Sequence, residues 1–416
     1  MKTLTKFFLT ASVMFCIATT SGCNNEEPTP KPKPRTDIVL TRAEEALMNG
    51  NIDFAFRFFG QVCRSEQQQP NVFVSPFSAS LCLSMMTNGA AGNTLSEMLA
   101  TLGFSPQTSS TDEMNDYYQK LVKALLDLDN TTRLAIANSI WIKQGFKVYD
   151  DFVKVNAQKY NAAVNTLDFA SPSAVPTINR WCADNTNNLI NKVLEEIPED
   201  ARMYLINALY FKGIWKEPFK KSDTRKESFT NADGSLATVD MMHQNETFGY
   251  MESDRYAVAE LPYGNGAFSM VVLLPHKENT LDECLQGLTL DEWERVYESR
   301  FYPEVDIKLP RFTIKYKKDL IGDMKALGMR DAFNSMTADF SKISQSELYL
   351  GLLQQFTYVN VDEAGTEAAA VTIGGGYVTA VMPPSRVDFH VDRPFAFLIK
   401  ELSTGAILFM GKVTKL

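Results

Sequence analysis

Residues 362–384 read Asp362-Glu363-Ala364-Gly365-Thr366-Glu367-Ala368-Ala369-Ala370-Val371-Thr372-Ile373-Gly374-Gly375-Gly376-Tyr377-Val378-Thr379-Ala380-Val381-Met382-Pro383-Pro384. The stretch follows an alternating, strand-like run and leads into another. It is too long for an ordinary connection inside a compact domain, where such loops are functional or disordered. Its chemistry is also wrong for a loop tip, which usually carries polar turn residues. Thr366, Ala368, Ala370 and Thr372 recur at period two and are all small and uncharged, while Glu367 falls on the opposite face. A strand with such a face can enter a sheet over a packed core. Gly365 supplies the free dihedrals for a pivot just before it. An Ala-rich surface loop fits the same letters, and pattern alone leaves the two readings level. The Gly374-Gly375-Gly376 triplet keeps the segment supple at the expense of late strand pairing.

The flanking sequence is mixed. Helical stripes are expected over residues 51–64, 78–90 and 112–128. Residues 134–141 and 203–211 read as buried strands, as does 267–274, which Pro275 ends. Residues 256–263, 305–314 and 348–361 alternate as strands do. The C-terminal end is strand-rich at 387–391, 396–399 and 406–413, the last two joined by a Ser403-Thr404-Gly405 turn. With no internal repeat and no linker after residue 37, the pattern favours an α+β fold in one body over a doubly wound sheet.

The chain has 416 residues, 45% hydrophobic and 22% charged, with 41 Lys and Arg against 50 Asp and Glu. That composition supports a sizeable core and excludes wholesale disorder. A formal charge of −9 speaks against nucleic acid as a partner. Before the body stand Lys2 and Lys6, an apolar run over 7–18 and Thr20-Ser21-Gly22-Cys23. The run is too short to span a bilayer, so residues 1–22 read as an export signal. The small residues ending at Cys23 are similar to a bacterial lipoprotein processing site, with Thr20 where Leu is usual. Cys23 is then the lipidated first residue, and a plain secretory signal with an incidental Cys is the alternative. Asn24-Asn25-Glu26-Glu27 resembles the surface-export signals of some Gram-negative lipoproteins. The expected location is the outer membrane or cell surface of such a bacterium, or secretion. Residues 23–36 form a stalk in which Pro28, Pro30, Pro32 and Pro34 favour an extended spacer, some 25 Å long at ~3.1 Å per residue. The body spans 37–416.

Catalytic machinery is hard to find. There is no GxSxG elbow, HExxH or phosphate loop. With three histidines, His243, His276 and His390, no multi-histidine metal site is expected, and His243, beside Met241 and Met242, reads as a structural imidazole. Neither metal nor cofactor is called for. Cys63, Cys82, Cys182 and Cys284 read as buried free thiols. Lys212, Lys216, Lys220, Lys221, Arg225 and Lys226 form a basic cluster, read as a charged face ahead of a polyanion site. As an enzyme, the sequence offers almost nothing.

The run Glu363-Ala364-Gly365-Thr366-Glu367-Ala368-Ala369-Ala370 closely resembles the hinge of inhibitory serpins. The resemblance covers roughly residues 38–416. Asn71-Val72-Phe73-Val74-Ser75-Pro76-Phe77-Ser78 is similar to that family's early strand-to-helix motif. Asn207 to Trp215, followed by Pro218-Phe219, is similar to its sheet motif, and Asp392-Arg393-Pro394-Phe395 and residues 405–413 to its last strands. The resemblance implies one serpin-type domain with a large central β-sheet, flanking helices and an exposed reactive-centre loop at about 363–384. It also implies a suicide-type inhibitor of serine proteases, not an enzyme and expected as a monomer. A protease acylated at the loop would be dragged along as the cut loop enters the sheet, which requires a kinetically trapped native fold. From Gly365 to Thr379 is ~45 Å of strand at ~3.3 Å per residue. Gly365 and Thr366 are then pivot and first inserted residue, and Ala368 and Ala370 the small side chains that let insertion run fast. Ser75, Ser78 and Asn207 match the region where the sheet parts, Trp215 the top of the slot, and packing alone accounts for Ser75, Ser78 and Trp215 nearly as well. Gln355 stands where many members carry His, which implies altered tuning. Counting from Gly365 by the family's spacing puts the scissile bond between Thr379 and Ala380; counting back from Arg386 and Phe389 puts it one residue later. Either way a small neutral residue between Val378 and Val381 suits an elastase-type pocket. Cleavage after Tyr377, before Val378, by a chymotrypsin-like enzyme is the alternative, and subtilisin-like proteases are further candidates. A serpin fold acting as a non-inhibitory carrier and a lipid-anchored glycan binder are the rival readings.

Overall fold

The computed structural model describes residues 32–105, 110–366 and 385–416. In chain order its elements are α1 (Arg42–Ser65), β1 (Asn71–Val74), α2 (Pro76–Thr87), α3 (Gly92–Thr101), α4 (Thr111–Asp127), β2 (Arg133–Lys143), α5 (Asp150–Tyr160), β3 (Ala162–Leu167), α6 (Ala174–Asn185), β4 (Met203–Ile214), β5 (Arg225–Thr230) and β6 (Leu236–Thr247). There follow β7 (Gly249–Glu252), β8 (Tyr256–Tyr263), β9 (Phe268–Pro275), α7 (Leu281–Gln286), α8 (Leu290–Glu298), β10 (Glu304–Pro310), β11 (Phe312–Asp319), α9 (Ile321–Ala326), β12 (Gln354–Asp362), β13 (Gly365–Thr366), β14 (Arg386–His390), β15 (Phe395–Glu401) and β16 (Ile407–Val413).

Three sheets result. A six-stranded core sheet runs β1-β16-β15-β9-β8-β7, a four-stranded sheet runs β14-β10-β6-β5, and a second six-stranded sheet runs β11-β12-β13-β4-β2-β3. Every residue of β9, β15 and β16 is buried, which is why these strands are dense in apolar residues on both faces and do not alternate. Helices α1 and α2 pack on β16, and β1 lies against β11 and β12, so the core sheet backs the second sheet. A smaller apolar cluster of Trp141, Ile178, Cys182 and Tyr204 lies between α6 and strands β2 and β4. The α+β architecture agrees with the pattern of the sequence.

Several boundaries differ from those expectations. Helix α1 starts at Arg42, not Asn51, because Thr41 and Glu44 form a capping box: the Glu44 N–H donates to Thr41 Oγ1 and the Thr41 N–H to Glu44 Oε2. Helix α2 starts at Pro76 and ends at Thr87, with Ser75 as its cap and Pro at the first turn. The run 305–314 is two strands in different sheets, parted at Arg311, whose N–H donates to Asp240. Of 348–361 only the part from Gln354 onward is strand. Cys63, Cys182 and Cys284 are buried and Cys82 half-buried, all unbridged as expected. Burial pushes the Cys63, Cys82 and Cys182 thiols up to about 12. No helix among the described residues is long and apolar enough to cross a membrane.

Candidate functional site

The hinge segment is built into the second six-stranded sheet. Gly365 and Thr366 form the two-residue β13, which pairs antiparallel on both sides: Val361 with Thr366 and Asp362 with Gly365 on β12, Gly365 with Ile214 and Thr366 with Gly213 on β4. A strand bonded to both neighbours sets them two interstrand spacings apart, ~9.6 Å. Below Thr366, no ladder among the described residues joins residues 354–360 of β12 to residues 203–212 of β4. Among the described residues the sheet therefore leaves a slot between β12 and β4 below β13, which is seated in its mouth.

Gly365 is obligatory there for two reasons. Its φ of +148° is one that side chains rarely adopt, and an added Cβ would lie 2.1 Å from the Gly213 carbonyl oxygen. Trp215 closes the mouth from the β4 side. Its ring stacks on Tyr263 with centroids 4.5 Å apart, its Nε1 donates to the Asp362 carbonyl at 2.9 Å, and its backbone N–H donates to Ala364. Thr366 is buried, its hydroxyl 2.6 Å from that of Tyr263. Glu363 is also buried, although it is the hinge's charged residue. Arg311 grips its carboxylate through Nε at 2.8 Å and through Nη2, and the Thr224 hydroxyl donates to it. Burial acts to raise the Glu363 carboxyl, and the bonds from Arg311 and Thr224 outweigh it, holding the group below its usual range. Tyr263, Arg311 and Thr224 were not read from the sequence. The only signal is that a buried Glu requires a cation, and that cation lies 52 residues away along the chain.

Deeper in the slot a second group surrounds the start of α2. Ser75 Oγ donates to the Leu408 carbonyl at 2.7 Å and accepts the Ser78 N–H at 3.1 Å. The Gln355 side chain clasps the Ser75 backbone from β12: its Oε1 accepts the Ser75 N–H and its Nε2 donates to the Ser75 carbonyl, both at 2.8 Å. Gln355 thus bridges a slot-lining strand to the helix cap beneath it. Across the slot, Asn207 donates from Nδ2 to Asn138 at 2.6 Å, and its buried Oδ1 has no hydrogen-bond partner among the described residues. Leaving such an acceptor unpaired costs about 1–3 kcal/mol.

The structure therefore gathers Glu363, Gly365, Thr366 and Trp215 at the mouth and Ser75, Ser78 and Gln355 below it, with Asn207 on the facing strand. Glu367, Ala368, Ala369, Ala370, Tyr377, Val378, Thr379, Ala380 and Cys23 lie outside the described residues. The basic cluster is broken up: Glu217, Asp223 and Glu227 alternate with it, and Asp240 pairs with Lys226 at 3.0 Å. His243 is not packed in the core beside its methionines. Met241 and Met242 are buried, but the His243 ring is half-exposed on the four-stranded sheet, with its Nε2 2.9 Å from Asp306 Oδ1.

A family model described as serpin (serine protease inhibitor) matches residues 49–416. Human neuroserpin is 33% identical over 392 residues, covering 90% of this chain and 92% of that protein. The human leukocyte elastase inhibitor is 33% identical over 383 residues, covering 88% of this chain and 99% of that one. The crystal structure of a thermophilic serpin, tengpin, in its native state superposes with a TM-score of 0.81 at 31% identity, covering 93% of this chain and 98% of that one.

Proposed function

The chain belongs to the serpin family of serine protease inhibitors, and from that premise we propose that it inhibits elastase-like endopeptidases by surrendering its own loop. The protease's nucleophilic serine attacks the carbonyl of Thr379, the amine of Ala380 leaves, and an acyl-enzyme forms. The cut segment then follows Thr366 into the slot between β12 and β4, carrying the acylated protease with it. A displacement of ~1 Å among catalytic groups costs about 10²-fold, enough to stall deacylation. The observation that carries this reading is the seating of Gly365–Thr366 between β12 and β4, two strands that no ladder joins to each other among the described residues. Small neutral side chains around Thr379 and Ala380 support an elastase-type target over a trypsin-like one, whose buried carboxylate would be left unpaired.

Incubation with an elastase tests the proposal. The expected product is an SDS-resistant adduct of protease plus the residues up to the cut, with the released C-terminal peptide beginning at Ala380 or one residue later. Cleavage that leaves the elastase free and fully active would overturn it in favour of the carrier reading. We further propose export and lipidation at Cys23, with residues 24–36 as a tether to the surface of a Gram-negative cell. The Cys23→Ser chain should then lose fatty-acid labelling and leave the membrane fraction.

A further inference from the structure

We propose that His243, His390 and Asp306, with Asp388 as a fourth donor, form a binding site for a zinc-type divalent metal on the four-stranded sheet, independent of the inhibitor reading above. The sheet's register brings them together. Antiparallel pairing of β6 with β10 sets His243 opposite Lys308, and parallel pairing of β10 with β14 sets His390 beside Lys308 and Asp388 beside Asp306. Since alternate residues of a strand share a face, all four donors project from the same side. Two of the chain's three histidines thereby converge on one carboxylate oxygen, Asp306 Oδ1, at 2.9 Å from His243 Nε2 and 3.4 Å from His390 Nε2. The ligand–ligand edge of a tetrahedral zinc centre with bonds of about 2.0–2.1 Å is ~3.3 Å, so each imidazole nitrogen stands about one such edge from the shared Asp306 oxygen. Ligand atoms of Asp306, Asp388 and His390 all lie within 4.8 Å of one another, and His243 joins this group through Asp306, its Nε2 2.9 Å from Oδ1.

The surroundings are compatible with a cation. Arg386 donates to Asp306 Oδ2 at 2.5 Å, which fixes the carboxylate with Oδ1 turned to the imidazoles. Its charge is more than offset by the two aspartates. Lys308, the other cation on this face, is tied to Glu227 at 2.8 Å. The imidazole and carboxylate set suits zinc, cobalt or nickel over calcium or magnesium, which take oxygen ligands. The bound ion would join β6, β10 and β14. Among the described residues β14 is the sheet's edge and pairs with β10 alone, and the loop segment precedes it along the chain. The metal would fasten it.

The test uses the full chain, stripped with EDTA and titrated with Zn²⁺ by calorimetry and with Co²⁺ by absorption. One equivalent should bind, giving tetrahedral cobalt bands without a thiolate charge-transfer band. His243→Gln and His390→Gln should each weaken binding tenfold or more, while His276→Gln leaves it unchanged. Amide exchange in β14 should slow on adding Zn²⁺ to the parent chain and not to the His390→Gln variant. Absence of binding, or stoichiometric binding that survives both substitutions, would overturn the assignment. Because both rings are half-exposed on a strand surface, neither variant should unfold the protein, and thermal melting of the stripped forms checks this.

Discussion

Gln355 and Glu363 carry comparable jobs with opposite electrostatics. The Gln355 amide offers one donor and one acceptor at every pH, so its clasp on Ser75 does not titrate. In a Gln355→His variant a neutral ring can still accept the buried Ser75 N–H, but an imidazolium cannot. Folding then favours the neutral ring, its folded-state pKa falls below ~6.5, and the contribution is present above that value and lost as pH drops through the folded pKa. The variant should lose about 1–3 kcal/mol of stability between neutral pH and pH ~5 relative to the parent, read from urea unfolding at each pH. In Glu363 it is the charged form that folding favours. Its folded pKa is depressed, so its contribution is complete above the unfolded carboxylate value of ~4.3 and lost only in stronger acid. Arg311→Met removes the cation while Glu363 stays buried. The expected cost at pH 7 is about 1–3 kcal/mol, discounted because the Arg311 side chain is itself 40% exposed. Burial then raises the carboxyl, so the variant should recover stability as pH falls from 7 towards 5, where the parent is flat.

At the scale of elements the proposed mechanism rests on β13 between β12 and β4. Thr366 sits where the inserted strand begins, and its side chain packs against Tyr263 in a buried site. Thr366→Arg would bring an unpaired charge into that site, which costs several kcal/mol or excludes the residue from the sheet. The expected outcome is a substrate in place of an inhibitor: the loop is cut at the same bond, no SDS-resistant adduct accumulates, and the elastase keeps its activity. Much of this element could be read in advance, because period-two small residues and a glycine pivot are local signals that survive in one dimension. The grip of Arg311 on Glu363 was not legible, since the pairing depends on how two sheets meet and has no spacing rule. Neither was the meeting of His243 and His390 on Asp306. That follows from strand order β14-β10-β6, which joins segments more than sixty residues apart along the chain. The strand assigned across 305–314 failed at Arg311 because alternation continues through the crossing from one sheet to the other, while the backbone does not.

For the whole molecule, the proposed mechanism requires a native state that is not the lowest in free energy. Among the described residues, the buried Asn207 Oδ1 has no partner and no ladder joins β12 to β4 below Thr366, and one more strand there would pair the facing edges. In the proposed mechanism, loop cleavage supplies that strand. If a dozen residues enter the slot at a net ~1 kcal/mol each, the cut form gains on the order of 10 kcal/mol. At ~2 °C per kcal/mol for a large domain, its melting temperature should rise by roughly 20 °C. The measurement is calorimetric: melt the intact chain, then the chain nicked in the loop by a protease it does not trap, with both fragments retained. Thr366→Arg, nicked in the same way, should gain much less. A nicked parent that melts no higher than the intact chain would mean that the sheet has no use for its missing strand, and the slot would then be a feature of packing without a role in inhibition.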